Sequence, residues 1–165
     1  RSTLFPYTTL FRSWLTPMSA PVRRALNPDQ VWALTLGLLA IHQAEEVVYS
    51  AHSWLEHVGS TGWPLLDAHL RGPSGGGTPL ADARVSRRLA AVGVQALGAG
   101  ALWACARRSE PATRILATGV CLGSAAAFVM HIAVSARTRS AMPGLSTSLL
   151  PGLPGAALTL RAIWA

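Results

Sequence analysis

The sequence reads VWALTLGLLAIHQAEE from Val31 to Glu46, an apolar run that ends in a short cluster of ionisable side chains. The preceding Asn27-Pro28-Asp29 is typical of a helix start, because asparagine caps free backbone N–H groups and proline fits the first helical position. Apolar side chains resume over residues 47–49, so the segment has the roughly 20 residues that a helix needs to cross a bilayer. The stretch predicts a membrane-crossing first helix with polar groups near its end.

The composition of the chain also favours a membrane protein. Of its 165 residues, 50% are hydrophobic and only 13% are charged, whereas a soluble domain carries about 25% charged residues. The net charge of +7 rests on arginines that flank the apolar segments, with no lysine and no nucleic-acid motif. We therefore expect the lipid bilayer, and no nucleic acid, as a partner. Cys105 and Cys121 form neither a disulfide framework nor a zinc pattern.

Three further apolar segments follow the first one. They cover residues 89–106, 112–136 and 145–164. The last segment is interrupted by the steps Pro151-Gly152 and Pro154-Gly155, which predict a broken or kinked helix. The sequence therefore predicts an all-α, polytopic membrane helical bundle of four spans. A candidate fifth element, interfacial or re-entrant, lies around residues 53–70.

The chain divides into three parts. Residues 1–13 resemble a translated sequencing adaptor and are left out of the fold prediction. Residues 14–27 are predicted to be a polar N-terminal tail, in which Met18 is the best candidate for the native start. Residues 28–165 are predicted to form a single membrane domain. Within it, the glycine, proline and serine content of residues 72–79 predicts a flexible linker.

The most informative motif is His42-Gln43-Ala44-Glu45-Glu46. Residues three and four apart are neighbours on a helix, so His42, Glu45 and Glu46 share one face. An acidic residue inside a span costs roughly 2.5–3.5 kcal/mol on insertion scales. These side chains must therefore face the bundle interior or a water-filled cavity, where they need partners. His131, inside the third apolar segment, is the partner that we expect.

A cluster of carboxylates and histidines inside a helical bundle is the usual ligand set for a transition metal. We predict a site whose metal ligands are His42, Glu45, Glu46 and His131. The expected metal is divalent zinc, manganese or iron. His42, Glu45 and Glu46 are also the candidate catalytic residues of a membrane-embedded enzyme that acts on a lipid or another apolar substrate.

Two alternatives remain open for the same residues. Paired carboxylates inside a membrane also serve as proton relays, so a small proton-coupled transporter is one alternative. The other is a structural, partner-binding membrane protein in which the cluster only fixes the helix register. Glycine and alanine are dense in the middle spans and permit close helix contact, which makes a homo-oligomer a candidate assembly. The sequence leaves the substrate of an enzyme or transporter open.

The chain resembles the HXXEE family of small bacterial membrane proteins, which is named for the motif standing here as His42-Gln43-Ala44-Glu45-Glu46. The resemblance extends along most of residues 28–160 and includes His131, the Pro143-Gly144 step and Thr147. It implies a multi-span protein of the bacterial inner membrane. It implies no established activity, so it supports the candidate site without naming a reaction.

Overall fold

The computed structural model describes residues 26–165, and this part of the protein is all-α, as predicted. The predictions for residues 1–13 and for a start at Met18 concern residues outside this part. The α-helices are α1 (Pro28–Val48), α2 (Ala51–Val58), α3 (Pro64–Leu70), α4 (Val85–Ala106), α5 (Glu110–Thr138), α6 (Leu145–Thr147) and α7 (Leu153–Ile163).

The helices α1, α4 and α5 are long and apolar enough to cross a membrane. The shortest of them, α1, has 21 residues, which makes it about 32 Å long, close to the roughly 30 Å of a hydrocarbon core. Its start is a capping box, in which the Asn27 side chain accepts from the Gln30 N–H and the Gln30 side chain accepts from the Asn27 N–H. The polytopic helical bundle and the predicted helix start are both confirmed.

The last apolar segment forms a broken helix. Leu150 has a non-helical backbone (φ −145°, ψ 117°), and the helix resumes only at α7, which has 11 residues. Residues 145–163, here called the final segment, nevertheless run antiparallel along α1. The contacting pairs are Thr147 with Glu45, Gly155 with Leu38, and Ile163 with Val31. The break is confirmed, and a fourth membrane crossing by this segment stays a prediction.

Helix α4 lies antiparallel to α1. Near the start of α4, Arg88 is only 4% exposed and donates from Nε and Nη2 to the Val47 carbonyl, at 3.0 and 2.8 Å. Its Nη1 donates to the carbonyls of Asp82 and Ala83, at 2.6 and 2.9 Å. Arg88 therefore joins the end of α1 to the chain that enters α4.

Helix α5 returns parallel to α1 and contacts both α1 and the final segment. At one end, the Trp32 indole of α1 donates to the Thr113 hydroxyl at 3.3 Å. Further along, Phe128 is fully buried and packs edge-on against the His42 ring. Helices α1 and α5 and the final segment therefore enclose the interior of the bundle.

Residues 49–84 form an end cap over one end of the bundle. It contains α2, α3 and the 3-10 turns Pro73–Gly75 and Pro79–Ala81. Its apolar side chains pack against the second half of α5, with Leu55 and Leu70 in one cluster with Val134. Helices α2 and α3 have 8 and 7 residues, about 12 and 10 Å, which is too short to cross a bilayer. The interfacial or re-entrant placement of this region stays a prediction.

Local capping explains two features of the end cap. Tyr49 is extended and the Ser50 hydroxyl caps α2, so α2 is a separate helix. In the predicted linker, the Gly77 N–H donates to the Gly72 carbonyl at 2.7 Å and the Thr78 N–H to the His69 carbonyl at 2.9 Å. The run 72–79 is therefore folded into hydrogen-bonded turns, and its flexibility stays a prediction.

Asp67 of α3 accepts hydrogen bonds that hold the preceding loop, residues 60–63, against the helix. Its carboxylate accepts from the Ser60 hydroxyl at 2.6 Å, the Thr61 N–H at 2.8 Å and the Thr61 hydroxyl at 2.5 Å. The Thr61 hydroxyl in turn accepts from the Trp63 N–H at 3.2 Å. Burial alone would raise the pKa of Asp67, but the hydrogen bonds from Ser60 and Thr61 outweigh it and lower that pKa below its ordinary value.

Candidate metal centre

His42, Glu46 and His131 meet between α1 and α5, and we call these three residues the centre. Oε1 of Glu46 lies 3.4 Å from Nε2 of His131 and 3.8 Å from Nε2 of His42. The two histidines are 2% and 3% exposed, and Glu46 is partly buried. His42 and Glu46 are one turn apart on α1, and α5 supplies His131. Two of the long helices therefore bring together three side chains that could hold a metal ion.

The spacing of these atoms suits a metal ion. Ligand atoms that are each about 2.0–2.1 Å from a tetrahedral ion lie roughly 3.4 Å from one another. The candidate ligand atoms of the centre all lie within 4.8 Å of one another, so small side-chain movements would bring them to bonding distance. Two imidazoles and one carboxylate are a donor set that catalytic zinc sites and mononuclear iron sites share.

Glu45 points away from the centre and binds the start of the final segment. Its carboxylate accepts from the backbone N–H groups of Ser146 and Thr147, at 3.4 and 2.8 Å, and from their hydroxyl groups, at 3.1 and 2.7 Å. Successive residues diverge by about 100° around a helix, so Glu46 faces α5 while Glu45 faces α6. The structure therefore brings Glu45 to Ser146 and Thr147, outside the group of His42, Glu46 and His131, and its role as a metal ligand stays a prediction.

Thr147 connects Glu45 to the centre. Its Oγ1 lies 2.7 Å from Oε2 of Glu45 and 3.0 Å from Nδ1 of His42. The hydroxyl has one proton, which it donates to the carboxylate, so Nδ1–H of His42 donates to Thr147. The lone pair of His42 is then on Nε2, which faces Glu46. This is the tautomer that a histidine needs to bind a metal through Nε2.

Gly144, in the loop between α5 and α6, packs directly against the centre. Its φ is +90°, in the left-handed region that favours glycine. A Cβ at this position would lie 2.7 Å from Cε1 of His42 and 2.7 Å from Cε1 of His131. Glycine therefore lets the loop backbone lie directly against both imidazole rings.

One ring nitrogen of His131 lacks a hydrogen-bond partner. Its Nδ1 is buried and has no hydrogen-bond partner among residues 26–165. Buried polar atoms are nearly always hydrogen-bonded or bound to an ion or water. The ring lies edge-on to that of His42, with 4.8 Å between their centroids. Nε2 of the same ring faces Glu46, and because the two ring nitrogens point in divergent directions, an ion held at Nε2 would leave Nδ1 without a partner.

Sequence reasoning missed the contributions of Gly144, Ser146 and Thr147. Pro143-Gly144 and Thr147 enter the sequence analysis only as parts of the family resemblance. The available signal was the polar run of residues 146–148, which stands between a Pro-Gly step and an apolar stretch. Hydroxyl groups at the start of a predicted span indicate that this end of the span binds something polar.

The other histidines lie apart from the centre. His52 and His57 belong to α2 and His69 belongs to α3, all in the end cap. Nε2 of His52 lies 3.4 Å from Oε1 of Glu56, one turn along α2. These residues do not join the group formed by His42, Glu46 and His131.

A cavity of about 650 Å³ lies between the end of α1, α2 and the loop before α6. Glu45 and Ser146 line it together with Tyr49, Trp54 and His57. The cavity therefore reaches the network that supports His42, from the side of the end cap.

The fold and the centre define a class of protein, an all-α bundle of membrane-crossing type with a histidine–carboxylate group between two of its helices. A family model described as "Protein of unknown function with HXXEE motif" matches residues 32–159. The chain belongs to this family, as the motif from His42 to Glu46 had indicated. No curated protein and no solved structure matches the chain.

Proposed function

We propose that His42, Glu46 and His131 bind one divalent transition metal inside the membrane. The observation that carries this proposal is the convergence of the three ligand atoms, supported by the hydrogen bond from His42 to Thr147. Metal-binding histidines usually donate their second N–H to an oxygen that fixes the ring and its tautomer. Thr147, itself held by Glu45, performs that task for His42.

The donor set favours zinc or iron over manganese. Imidazole nitrogen suits zinc and iron, whereas manganese prefers carboxylate, carbonyl and water oxygen. Two of the three donors of the centre are imidazoles, so we expect zinc or iron(II) to bind more tightly than manganese(II).

We further propose that the metal serves an enzyme of the bacterial inner membrane that acts on a lipid or another apolar substrate. With three protein ligands, a metal keeps a coordination position open for water. Metal-bound water is a good nucleophile near neutral pH. In this proposal Glu46 and the two histidines hold the metal, while Glu45 is a positioning residue that acts through Thr147.

Metal analysis tests the binding proposal. The purified chain is stripped of metal, exposed without oxygen to equimolar zinc, iron(II) and manganese(II), and analysed by mass spectrometry of its metals. We expect about one zinc or iron per wild-type chain and less than a tenth of that for Glu46→Gln and His131→Ala. His57→Ala, in the end cap, is the matched control and keeps the wild-type metal content. A wild-type chain without metal, or equal contents in all four proteins, would contradict the proposal.

The enzymatic part needs its own measurement. Metal-loaded wild-type chain is incubated with an inner-membrane lipid extract, and the lipids are compared by mass spectrometry with those from the His131→Ala chain. New products with the wild type alone would support the enzyme. Unchanged lipids with fully loaded protein would contradict a lipid-directed activity and leave the metal site standing.

A further inference from the structure

A buried arginine lies beside the cavity at the end of α1. Arg88 is 4% exposed and lines the cavity of about 650 Å³ between α1, α2 and the loop before α6. Four of the five N–H groups of its guanidinium donate to the carbonyls of Val47, Asp82 and Ala83. One hydrogen on Nη2 therefore remains without an acceptor among residues 26–165.

The positive charge of Arg88 has no carboxylate partner in the part of the chain that the structure describes. Asp82, whose carbonyl Arg88 bonds, pairs its carboxylate with Arg87 instead, at 3.1 Å. The carbonyls at the end of α1 supply only about half a negative charge. Because a buried charge is costly unless an opposite charge compensates it, this end of the cavity is electrostatically suited to an anion.

Glu45 is a carboxylate that lines the same cavity. Its oxygens already accept four hydrogen bonds, from the N–H and hydroxyl groups of Ser146 and Thr147. Val47, whose carbonyl holds Arg88, lies about 200° around α1 from Glu45. Glu45 therefore binds the final segment and leaves Arg88 without a counterion.

The rest of the lining combines polar and apolar groups. Ser53 supplies a hydroxyl from the first turn of α2, where free backbone N–H groups make a helix end positive. Val48 and Leu145 supply apolar surface. Val48 is the last residue of α1, and a helix that crosses the hydrocarbon core reaches the level of the phospholipid head groups at its end. The cavity therefore offers an anion site and an apolar wall at that level.

We propose that the phosphate group of a phospholipid binds in this cavity, with Arg88 as its charged partner and Ser53 as a hydrogen-bond donor. Guanidinium groups bind phosphate oxygens through charge-assisted hydrogen bonds. The apolar wall favours a lipid over free phosphate. Calling this lipid the substrate of the metal enzyme rests on the proposed function. Its binding does not, because Arg88 and Ser53 lie outside the centre.

Native mass spectrometry of the metal-free chain in detergent measures lipid binding, so a failure here is separate from a failure of the metal site. The probes are phosphatidylglycerol and a diacylglycerol with the same acyl chains and no phosphate. A charge-assisted hydrogen bond is worth about tenfold or more in affinity. We expect the wild type to prefer phosphatidylglycerol by that factor and Arg88→Gln to lose the preference. Equal binding of both lipids by the wild type would overturn the proposal.

A second variant leaves the hydrogen bonds of Arg88 in place. Ser53→Phe fills the cavity with a large side chain, whereas Ser86→Phe, at an exposed position near the start of α4 and outside the cavity, is the matched control. We expect Ser53→Phe to lose the preference for phosphatidylglycerol and Ser86→Phe to keep it. A preference that Ser53→Phe retains would assign lipid binding to the surface arginines and overturn the proposal.

Inorganic phosphate distinguishes the two sources of the anion. Phosphatidylglycerol that stays bound to the wild type in an excess of inorganic phosphate would support a lipid ligand. Displacement by inorganic phosphate would assign the site to a free phosphate and overturn the lipid.

Discussion

Two carboxylates in this molecule each bind a Ser-Thr pair, one in the end cap and one inside the bundle. Asp67 accepts from Ser60 and Thr61, and Glu45 accepts from Ser146 and Thr147. In the end cap, the threonine hydroxyl accepts from a backbone N–H, that of Trp63, so the side-chain hydrogen bonds stay within residues 60–67, and Arg137 of α5 contacts only the Thr61 carbonyl. In the bundle, the threonine hydroxyl accepts from the imidazole of His42, and the network reaches a second ionisable group.

The difference shows how one local arrangement serves two purposes. Around Asp67 the hydrogen bonds hold a loop of the end cap, outside the three long apolar helices. Around Glu45 they lie in a membrane-crossing helix, where an unpaired polar group costs more because water is scarce. A charged side chain in this helix is costly, and the position of Glu45 is explained by its hydrogen bond with Thr147, which also bonds His42.

The largest expected effect comes from Gly144→Ala. The new Cβ would overlap both imidazole rings of the centre and force a left-handed backbone on alanine. We expect metal affinity to fall by more than the roughly 10–100-fold that loss of an outer partner costs, as measured by competition with a chelator. Gly123→Ala is the control, because nothing lies within 4 Å of its Cβ position. Equal affinities for both variants would argue against the packing of this loop on the centre.

Replacing the threonine in each network compares the two carboxylates directly. Thr147→Val keeps the shape but removes the hydroxyl that joins Glu45 to His42, so metal affinity should fall about 10–100-fold. Thr61→Val makes the same change in the end cap and should leave metal affinity unchanged. If Thr61→Val lowered metal affinity as much as Thr147→Val, the effect of both substitutions would come from a general loss of stability of the fold.

Asp67→Asn tests the end cap alone. The amide cannot accept all the hydrogen bonds that the carboxylate receives, so we expect the loop before α3 to lose about 1–2 kcal/mol of local stability. Hydrogen exchange of the Thr61 and Gly62 amides should accelerate about tenfold or more, while metal content stays at the wild-type level. An unchanged exchange rate would show that Asp67 does not hold this loop.

The smallest effect is a pH dependence of the same loop. The pKa of Asp67 is lowered in the folded chain, so its stabilising contribution is complete above the ordinary aspartate pKa of about 3.9. That contribution is lost as the pH falls from there through the lowered folded pKa. Amide protection at Thr61, corrected for intrinsic rates, should therefore drop below about pH 4 in the wild type. The Asp67→Asn chain should show no such step.

The sequence predicted the parts of the fold that depend on local signals. Asn27 and Pro28 predicted the start of α1, and the apolar runs predicted the long helices. The Pro-Gly steps predicted the break in the final segment. The end of α1 was harder to foresee, because α2 carries on the mixture of apolar and polar residues. Only the cap formed by Ser50 separates the two helices.

The sequence predicted that His42, Glu46 and His131 would meet, but not which neighbouring helix each side chain of the motif contacts. Helical spacing placed His42, Glu45 and Glu46 on one face, and the polar character of His131 made it a natural partner. Periodicity alone cannot say which neighbouring helix each side chain meets, so it could not separate Glu46, which meets His131, from Glu45, which meets Thr147. That separation depends on how the final segment packs against α1.

The hydrogen bonds of Arg88 hold the two ends of the end cap close together. They tie the carbonyl of Val47, where the chain leaves α1, to those of Asp82 and Ala83, where it enters α4. Added length between these points changes the loop-closure entropy only slowly. Gly76 lies in an exposed turn with open space around it. A short epitope inserted there would report which side of the membrane the end cap faces, while the helices that hold the centre keep their places.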